Sequence, residues 1–255
     1  MTTSDTWPYP LWVAHRGAGK LAPENTLAAF KEGARHGYRA FECDVKLSAD
    51  GVPFLMHDAT LQRTTSGQGP SAERSWEQLS QLDAGSWHGP AFANERLPRL
   101  DAVARYCLDN GFALNIEIKP SPGHEAKTGR EVAAEAAALW HGQAVQPLMS
   151  SFNVEALASA QQAAPHLPRA LLLDKLPPGW LQQARDLGCA AIVCNHKLLD
   201  AGVIASIHGQ GMRSLAYTVN DAVDVRRLLD AGIDGLITDA VDRFSPDAPR
   251  SSFGT

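Results

Sequence analysis

Two short stretches carry charged side chains where a core should be apolar. Phe41-Glu42-Cys43-Asp44-Val45-Lys46-Leu47 and Leu114-Asn115-Ile116-Glu117-Ile118-Lys119 both alternate in character. Successive side chains of a strand point to opposite faces. Phe41, Cys43, Val45 and Leu47 therefore share one face, and Glu42, Asp44 and Lys46 the other. Leu114, Ile116 and Ile118 separate in the same way from Asn115, Glu117 and Lys119. If the apolar faces meet helices, the carboxylates of Glu42, Asp44 and Glu117 turn inward on neighbouring strands. Unpaired buried charges cost several kcal/mol each, so something must neutralise them. Three clustered carboxylates suit a hard divalent cation, Mg²⁺ or Ca²⁺. An antiparallel sheet with one wet face would give the same alternation without a metal.

Two histidines stand at strand exits. His15 closes the first apolar run and is followed by Arg16-Gly17; His57 follows Val52–Met56 and precedes Asp58. Histidine holds either protonation state near neutral pH, so the pair are candidates for general acid and general base. His36, His88, His124, His141, His166, His196 and His208 read as structural or surface groups, with His88 singled out because it lies in a long insert.

The elements that must carry these groups alternate. Strand-like runs cover Leu11–Ala14, Ala40–Leu47, Ala113–Ile118, Gln146–Ser150, Arg169–Leu172, Ala190–Cys194, Arg213–Val219 and Gly235–Thr238. Helical patterns lie between them at Asn25–His36, Leu100–Asn110, Glu125–Trp140, Val154–Ala164, Trp180–Leu187, Leu199–His208 and Asp221–Asp230, several stopped by Gly or Pro. Eight βα units in one chain of this size predict a (β/α)8 TIM barrel of parallel strands joined by right-handed crossovers. A doubly wound open sheet is the alternative, but the first turn, His15-Arg16-Gly17-Ala18-Gly19-Lys20, lacks GxGxxG. Asp58–Pro98 breaks the rhythm and reads as a small insert between the second strand and the next helix. Residues 1–255 are expected to form one domain.

Composition agrees with such a core. The chain has 255 residues, 44% hydrophobic and 20% charged, with a net charge of −5, which argues against disorder and against a basic nucleic-acid surface. Cys43, Cys107, Cys189 and Cys194 show no CxxC spacing and read as buried free thiols. No signal-like start and no run near the roughly 18 apolar residues of a membrane span is found, so a cytoplasmic protein without membrane insertion is expected.

The same residues, taken in order, resemble the glycerophosphodiester phosphodiesterase family, and most closely its short bacterial cytoplasmic members. The resemblance rests on His15-Arg16-Gly17, Pro23-Glu24-Asn25-Thr26, Glu42-x-Asp44-Val45, Asp50-Gly51, His57-Asp58 and Glu117-Ile118-Lys119. It continues through Leu61-x-Arg63-Thr64-Thr65 with Gly67, Leu82–Trp87, Leu97-Pro98, Ser150-Ser151-Phe152, Tyr217–Asn220 and Asp234–Asp239. Ser48 replaces a commoner Thr, and Tyr217 stands where many members carry Trp. The resemblance implies that Glu42, Asp44 and Glu117 bind one divalent cation and that His15 and His57 are acid and base. It implies further that Arg16 and Lys119 hold the phosphate, with Tyr217 near the alcohol.

The implied reaction is metal-assisted hydrolysis of a glycerophosphodiester, such as glycerophosphocholine or glycerophosphoethanolamine, to sn-glycerol 3-phosphate and an alcohol. The three carboxylates, the two cations, the metal and a singly charged phosphodiester would together be neutral. Water or a glycerol hydroxyl could attack; the second route gains from proximity. Rival readings are a lysophospholipase D or sphingomyelinase D-like enzyme, which should bring apolar surface or a membrane anchor that the sequence does not show, a metal-free phosphate-binding isomerase or aldolase barrel, and a non-catalytic barrel that binds a phosphodiester or a partner protein.

Overall fold

A computed structural model describes residues 7–248. Eight parallel strands close a barrel: β1 (Trp12–Ala14), β2 (Ala40–Leu47), β4 (Ala113–Ile118), β5 (Leu148–Ser151), β6 (Arg169–Leu173), β7 (Ala191–Asn195), β8 (Arg213–Tyr217) and β9 (Gly235–Thr238). Pairing of Ala14 with Phe41 joins β1 to β2 and completes the ring. The TIM barrel expected from the alternating pattern is therefore present, and the open sheet is excluded.

A ninth strand, β3 (Pro53–Leu55), pairs antiparallel with β2 through Val45–Leu55 and Leu47–Pro53. The sequence reading does not separate this three-residue strand from the run that ends at His57. It matters functionally, because the hairpin carries His57 back over the barrel mouth. The insert follows, with a short helix, α2 (Trp76–Leu79), capped by Ser75 and Gln78 in a capping box. Phe54, Met56, Leu61, Leu79, Ala84 and Leu97 give it a core of its own.

Around the barrel run α1 (Leu27–Arg35), α3 (Leu100–Asp109), α4 (Glu125–Leu139), α5 (Val154–Ala163), α6 (Trp180–Asp186), α7 (Ala201–His208) and α8 (Ala222–Asp230). The first and last of the expected helices begin later than their apolar patterns, as does α7, because Thr26, Asp221 and Asp200 serve as N-caps.

Every residue of β2 is buried. Phe41, Cys43, Val45 and Leu47 pack outward with Phe30, Leu100 and Val103 of the helix layer. The inward face of the cylinder is closed at its lower end by small or aliphatic residues, among them Ala40, Ala113, Leu148, Ala170 and Ala191. Trp7 and Tyr9 pack against this layer, and the Tyr9 hydroxyl donates to the Gln146 carbonyl oxygen. All four cysteines are buried and free. No helix among the described residues is long and apolar enough to cross a membrane.

Candidate active site

Glu42, Asp44 and Glu117 meet inside the barrel. Parallel register sets Asp44 opposite Glu117 and Glu42 opposite Asn115. One carboxylate oxygen from each acid lies within 4.8 Å of the others. Glu42 Oε1 and Asp44 Oδ1 are buried and accept no hydrogen bond. Burial and the neighbouring Asp44 charge push the Glu42 carboxyl up to about 8. The same two causes raise Glu117. Burial works against an ionised Asp44 as well, but Arg16, Lys119 and His57 outweigh it and hold that carboxyl below its usual range. Three clustered oxygen donors, two of them resisting ionisation, match what a hard divalent cation requires, so these residues could hold one.

The loop after β1 brings His15 and Arg16 to this cluster. Arg16 adopts φ 52°, and Gly17 follows at φ 98°. The turn places the Arg16 backbone N–H on Glu42 Oε2 at 3.0 Å. Gly19 then packs on the end of β9 so tightly that a Cβ would lie 2.1 Å from the Asp239 carbonyl oxygen. Only glycine fits there, and the contact seats Asp239 beside His15. His15 Nδ1 donates to Asp239 Oδ1 at 2.6 Å, leaving Nε2 3.8 Å from Glu42 Oε2. Burial alone would lower the His15 pKa; the Asp239 bond and the Glu42 charge more than reverse that.

Asn25 also takes a left-handed conformation, φ 59°, which asparagine tolerates better than most residues. Its side chain donates to Asp44 Oδ2 at 2.8 Å and accepts from the Asp44 backbone N–H at 3.0 Å. Arg16 donates to Glu24 Oε1 at 2.8 Å, and its Nε lies 3.3 Å from Asp44 Oδ2 without a hydrogen-bond partner. Lys119 donates to Glu117 Oε1 at 2.9 Å and sits 3.5 Å from Asp44 Oδ1.

His57 arrives from the β2–β3 hairpin. Its Nδ1 bonds Asp58 Oδ1 at 2.7 Å, and burial is the largest cause that lowers its pKa. His15, Arg16, Glu42, His57, Glu117, Lys119 and Tyr217 together line a cavity of about 170 Å³ with Asn115, Phe152, Leu172, Thr218 and Ile237. Asp44 lies just beneath, held by Asn25. The eight site residues expected from the sequence are thus gathered at one end of the barrel. Tyr217 meets Phe152 edge to face at 5.7 Å and donates to the Leu173 carbonyl oxygen.

Several residues of this constellation escaped the sequence reading as site groups. Asp239, Asn25, Glu24 and Phe152 lie inside the recognised motifs, yet nothing in their spacing reveals that they hold His15, Asp44, Arg16 and Tyr217. Lys46 is buried on the same strand face and donates to the Lys119 carbonyl oxygen at 3.4 Å. His88 does not line the cavity; its Nε2 bonds the Lys20 carbonyl oxygen at 3.0 Å.

Comparison with known proteins agrees with this geometry. The sequence matches the model of the Glycerophosphoryl diester phosphodiesterase family over residues 15–243. A glycerophosphodiester phosphodiesterase of Caldanaerobacter subterraneus is 34% identical over 90% of this chain and 93% of its own. A solved Oleispira antarctica phosphodiesterase, in complex with the product sn-glycerol-3-phosphate, superposes with a TM-score of 0.85 at 34% identity. That match covers 92% of this chain and 95% of the other. The glycerophosphodiester phosphodiesterase of Agrobacterium tumefaciens superposes with a TM-score of 0.78 at 30% identity, over 92% and 99%. The likeness thus runs along almost the whole length of these relatives, and the chain belongs to the glycerophosphoryl diester phosphodiesterase family.

Proposed function

We propose that this enzyme hydrolyses small glycerophosphodiesters, such as glycerophosphocholine or glycerophosphoethanolamine, to sn-glycerol 3-phosphate and an alcohol. The observation that carries the reading is the convergence of three buried carboxylates, two of them with an unpartnered oxygen, and two histidines around one cavity. The product bound by the Oleispira relative supports the substrate class.

Glu42, Asp44 and Glu117 would hold one divalent cation, Mg²⁺ or Ca²⁺. When bound, such an ion supplies Lewis acidity at a phosphoryl oxygen. Arg16, whose Nε has no hydrogen-bond partner, offers a planar donor to phosphate, and Lys119 adds a point charge. Phe152 and Tyr217 provide an apolar wall for the carbon skeleton.

The histidines divide proton transfer. Each ring has Nδ1 tied to a carboxylate and so keeps Nε2 for the reaction. The carboxylates differ: Asp58 is bonded by the Arg63 guanidinium, whereas Asp239 receives the neutral Asn220 amide at 3.0 Å. Asp239 therefore acts on His15 with its full charge and favours the imidazolium. His15 is assigned as the acid that protonates the leaving alkoxide, and His57 as the base that accepts the nucleophile's proton. The favoured nucleophile is the substrate's own glycerol hydroxyl, which forms a cyclic phosphate that water then opens.

A second reading has structural support. A groove of about 470 Å³, lined by Val154, Leu171, Leu173 and Pro177 among others, shares Phe152 and Leu172 with the cavity. It would admit the acyl chain of a lysolipid, as in lysophospholipase D-like cleavage.

Chelator-treated protein assayed on glycerophosphocholine, glycerophosphoethanolamine and a lysophospholipid, with Mg²⁺ or Ca²⁺ restored, tests both readings. Metal-dependent release of glycerol phosphate from the first two is expected. Preferential release of lysophosphatidate and the head-group alcohol from the lysolipid would favour the second reading, and no cleavage of any of the three substrates would refute both.

A further inference from the structure

Arg63 lies in the insert, outside the cavity, with a side chain 44% exposed. An ion pair at that exposure ordinarily contributes little to stability. Its geometry is nevertheless unusual, because one guanidinium grips two carboxylates at two points each. Arg63 donates to Glu24 Oε2 at 2.7 Å and to Glu24 Oε1 at 2.8 Å. On its other edge it donates to Asp58 Oδ2 at 2.6 Å and to Asp58 Oδ1 at 3.0 Å.

Both acids are already committed to the site. Glu24 Oε1 accepts the 2.8 Å bond from Arg16, and Asp58 Oδ1 accepts the 2.7 Å bond from His57. An unbroken chain of charge-assisted bonds therefore runs Arg16–Glu24–Arg63–Asp58–His57. It ties the loop after β1 to the β2–β3 hairpin, two segments that approach the cavity from different strands.

We propose that Arg63 is a positioning residue that fixes Arg16 and His57 relative to each other through Glu24 and Asp58. The proposal rests on the catalytic reading of Arg16 and His57 given above. Two features of the chemistry require arginine. The planar fork engages two carboxylates along separate edges, which a lysine ammonium cannot do. Its charge is also shared by Glu24 and Asp58, so Asp58 orients the His57 ring without acting on it as a lone anion. Without the clamp, Glu24 and Asp58 would repel each other and rotate, taking Arg16 and His57 with them.

The test compares wild type, Arg63→Ala and Arg63→Lys in steady-state hydrolysis of glycerophosphocholine, with thermal unfolding as the fold control. Misplacement of a reacting group by about 1 Å can cost on the order of a hundredfold. For Arg63→Ala, kcat is expected to fall by roughly tenfold to a hundredfold with a smaller rise in KM. Arg63→Lys should recover little of the loss, and added guanidinium ion should raise the rate of Arg63→Ala severalfold without affecting wild type. Activity of Arg63→Ala within about twofold of wild type would overturn the clamp. So would full recovery in Arg63→Lys, or failure of guanidinium to rescue a folded Arg63→Ala. Should Arg63→Ala not fold, Arg63→Lys carries the kinetic test alone: near-normal kcat refutes the proposal, and a large drop supports it. The ring ¹⁵N and ¹H resonances of His57 give a readout that needs no turnover. They should shift in either variant, and unmoved resonances would refute the clamp. If wild type releases no glycerol phosphate from any diester, the catalytic reading fails, while the His57 spectra still judge the clamp.

Discussion

Asp44 and Glu117 stand directly opposite each other on adjacent parallel strands, and a single ammonium, that of Lys119, lies 3.5 Å from one and 2.9 Å from the other. Lys119 is two residues beyond Glu117 on the same strand face, so strand periodicity alone brings the cation back over the acids. Arg16 adds its charge beside Asp44 at 3.3 Å, so the two permanent cations serve chiefly Asp44 and Glu117, and Glu42 is left in excess.

That excess fixes a stability prediction. Burial and Asp44 raise the folded-state pKa of Glu42 from its ordinary 4.5 to about 8. A carboxyl with a raised folded pKa holds its proton more tightly in the native state. Its favourable contribution is complete below the unfolded pKa and is lost as pH rises through the folded one. Metal-free protein should therefore lose stability across that window, and Glu42→Gln should remove the loss. At about pH 9 the metal-free variant should melt roughly 5 °C above metal-free wild type. Differential scanning calorimetry checks this, and an equal or lower Tm would contradict it. Mg²⁺ or Ca²⁺ should stabilise wild type and leave the variant nearly unaffected.

Metal binding should expel a proton. A cation binds ionised carboxylates, whereas Glu42 is largely protonated near neutral pH in the free site. Affinity should fall as pH drops below about 8, by at most roughly tenfold per pH unit. Titration calorimetry in two buffers of different ionisation enthalpy reads the effect directly. Identical binding heats in both would argue against a protonated Glu42.

The two histidines should separate by leaving group. His15→Ala and His57→Ala should each lower kcat on glycerophosphocholine by at least about a hundredfold, as expected for loss of an acid or base. With a p-nitrophenyl ester of glycerol phosphate the leaving group needs no proton. His15→Ala should then regain most of its activity and His57→Ala should not. The opposite pattern would exchange the two roles.

Asn25 should be needed for more than its backbone shape. Glycine adopts φ 59° freely but cannot grip Asp44. Asn25→Gly should therefore change stability by only about 1 kcal/mol while lowering activity and metal affinity. Asn25→Ala adds backbone strain and should be the less stable of the two. Normal metal affinity in Asn25→Gly would show that Asp44 needs no such anchor.

Much of this architecture is legible in the amino-acid sequence. Alternation in β2 and β4 reveals Glu42, Asp44 and Glu117 because periodicity is a local property. The helix–strand rhythm likewise gives the barrel, since each βα unit is nearly self-contained. What stayed hidden is long-range or conformational. Asp239 lies 224 residues from His15, and their bond exists only because β9 closes against β1. β3 is too short for alternation to show, and its antiparallel sense depends on the turn at Asp50-Gly51. The charge network through Arg63 joins an insert to two loops, and sequence spacing encodes none of its angles.

Trp7 and Tyr9, an edge-to-face ring pair packed against the lowest layer of the cylinder, make the barrel a cul-de-sac. Traffic passes through the mouth at the opposite end, lined by His15, His57, Phe152 and Tyr217 among others. Product leaving by that mouth competes with incoming substrate for the same cavity. Inhibition by accumulated glycerol phosphate should therefore be competitive with substrate.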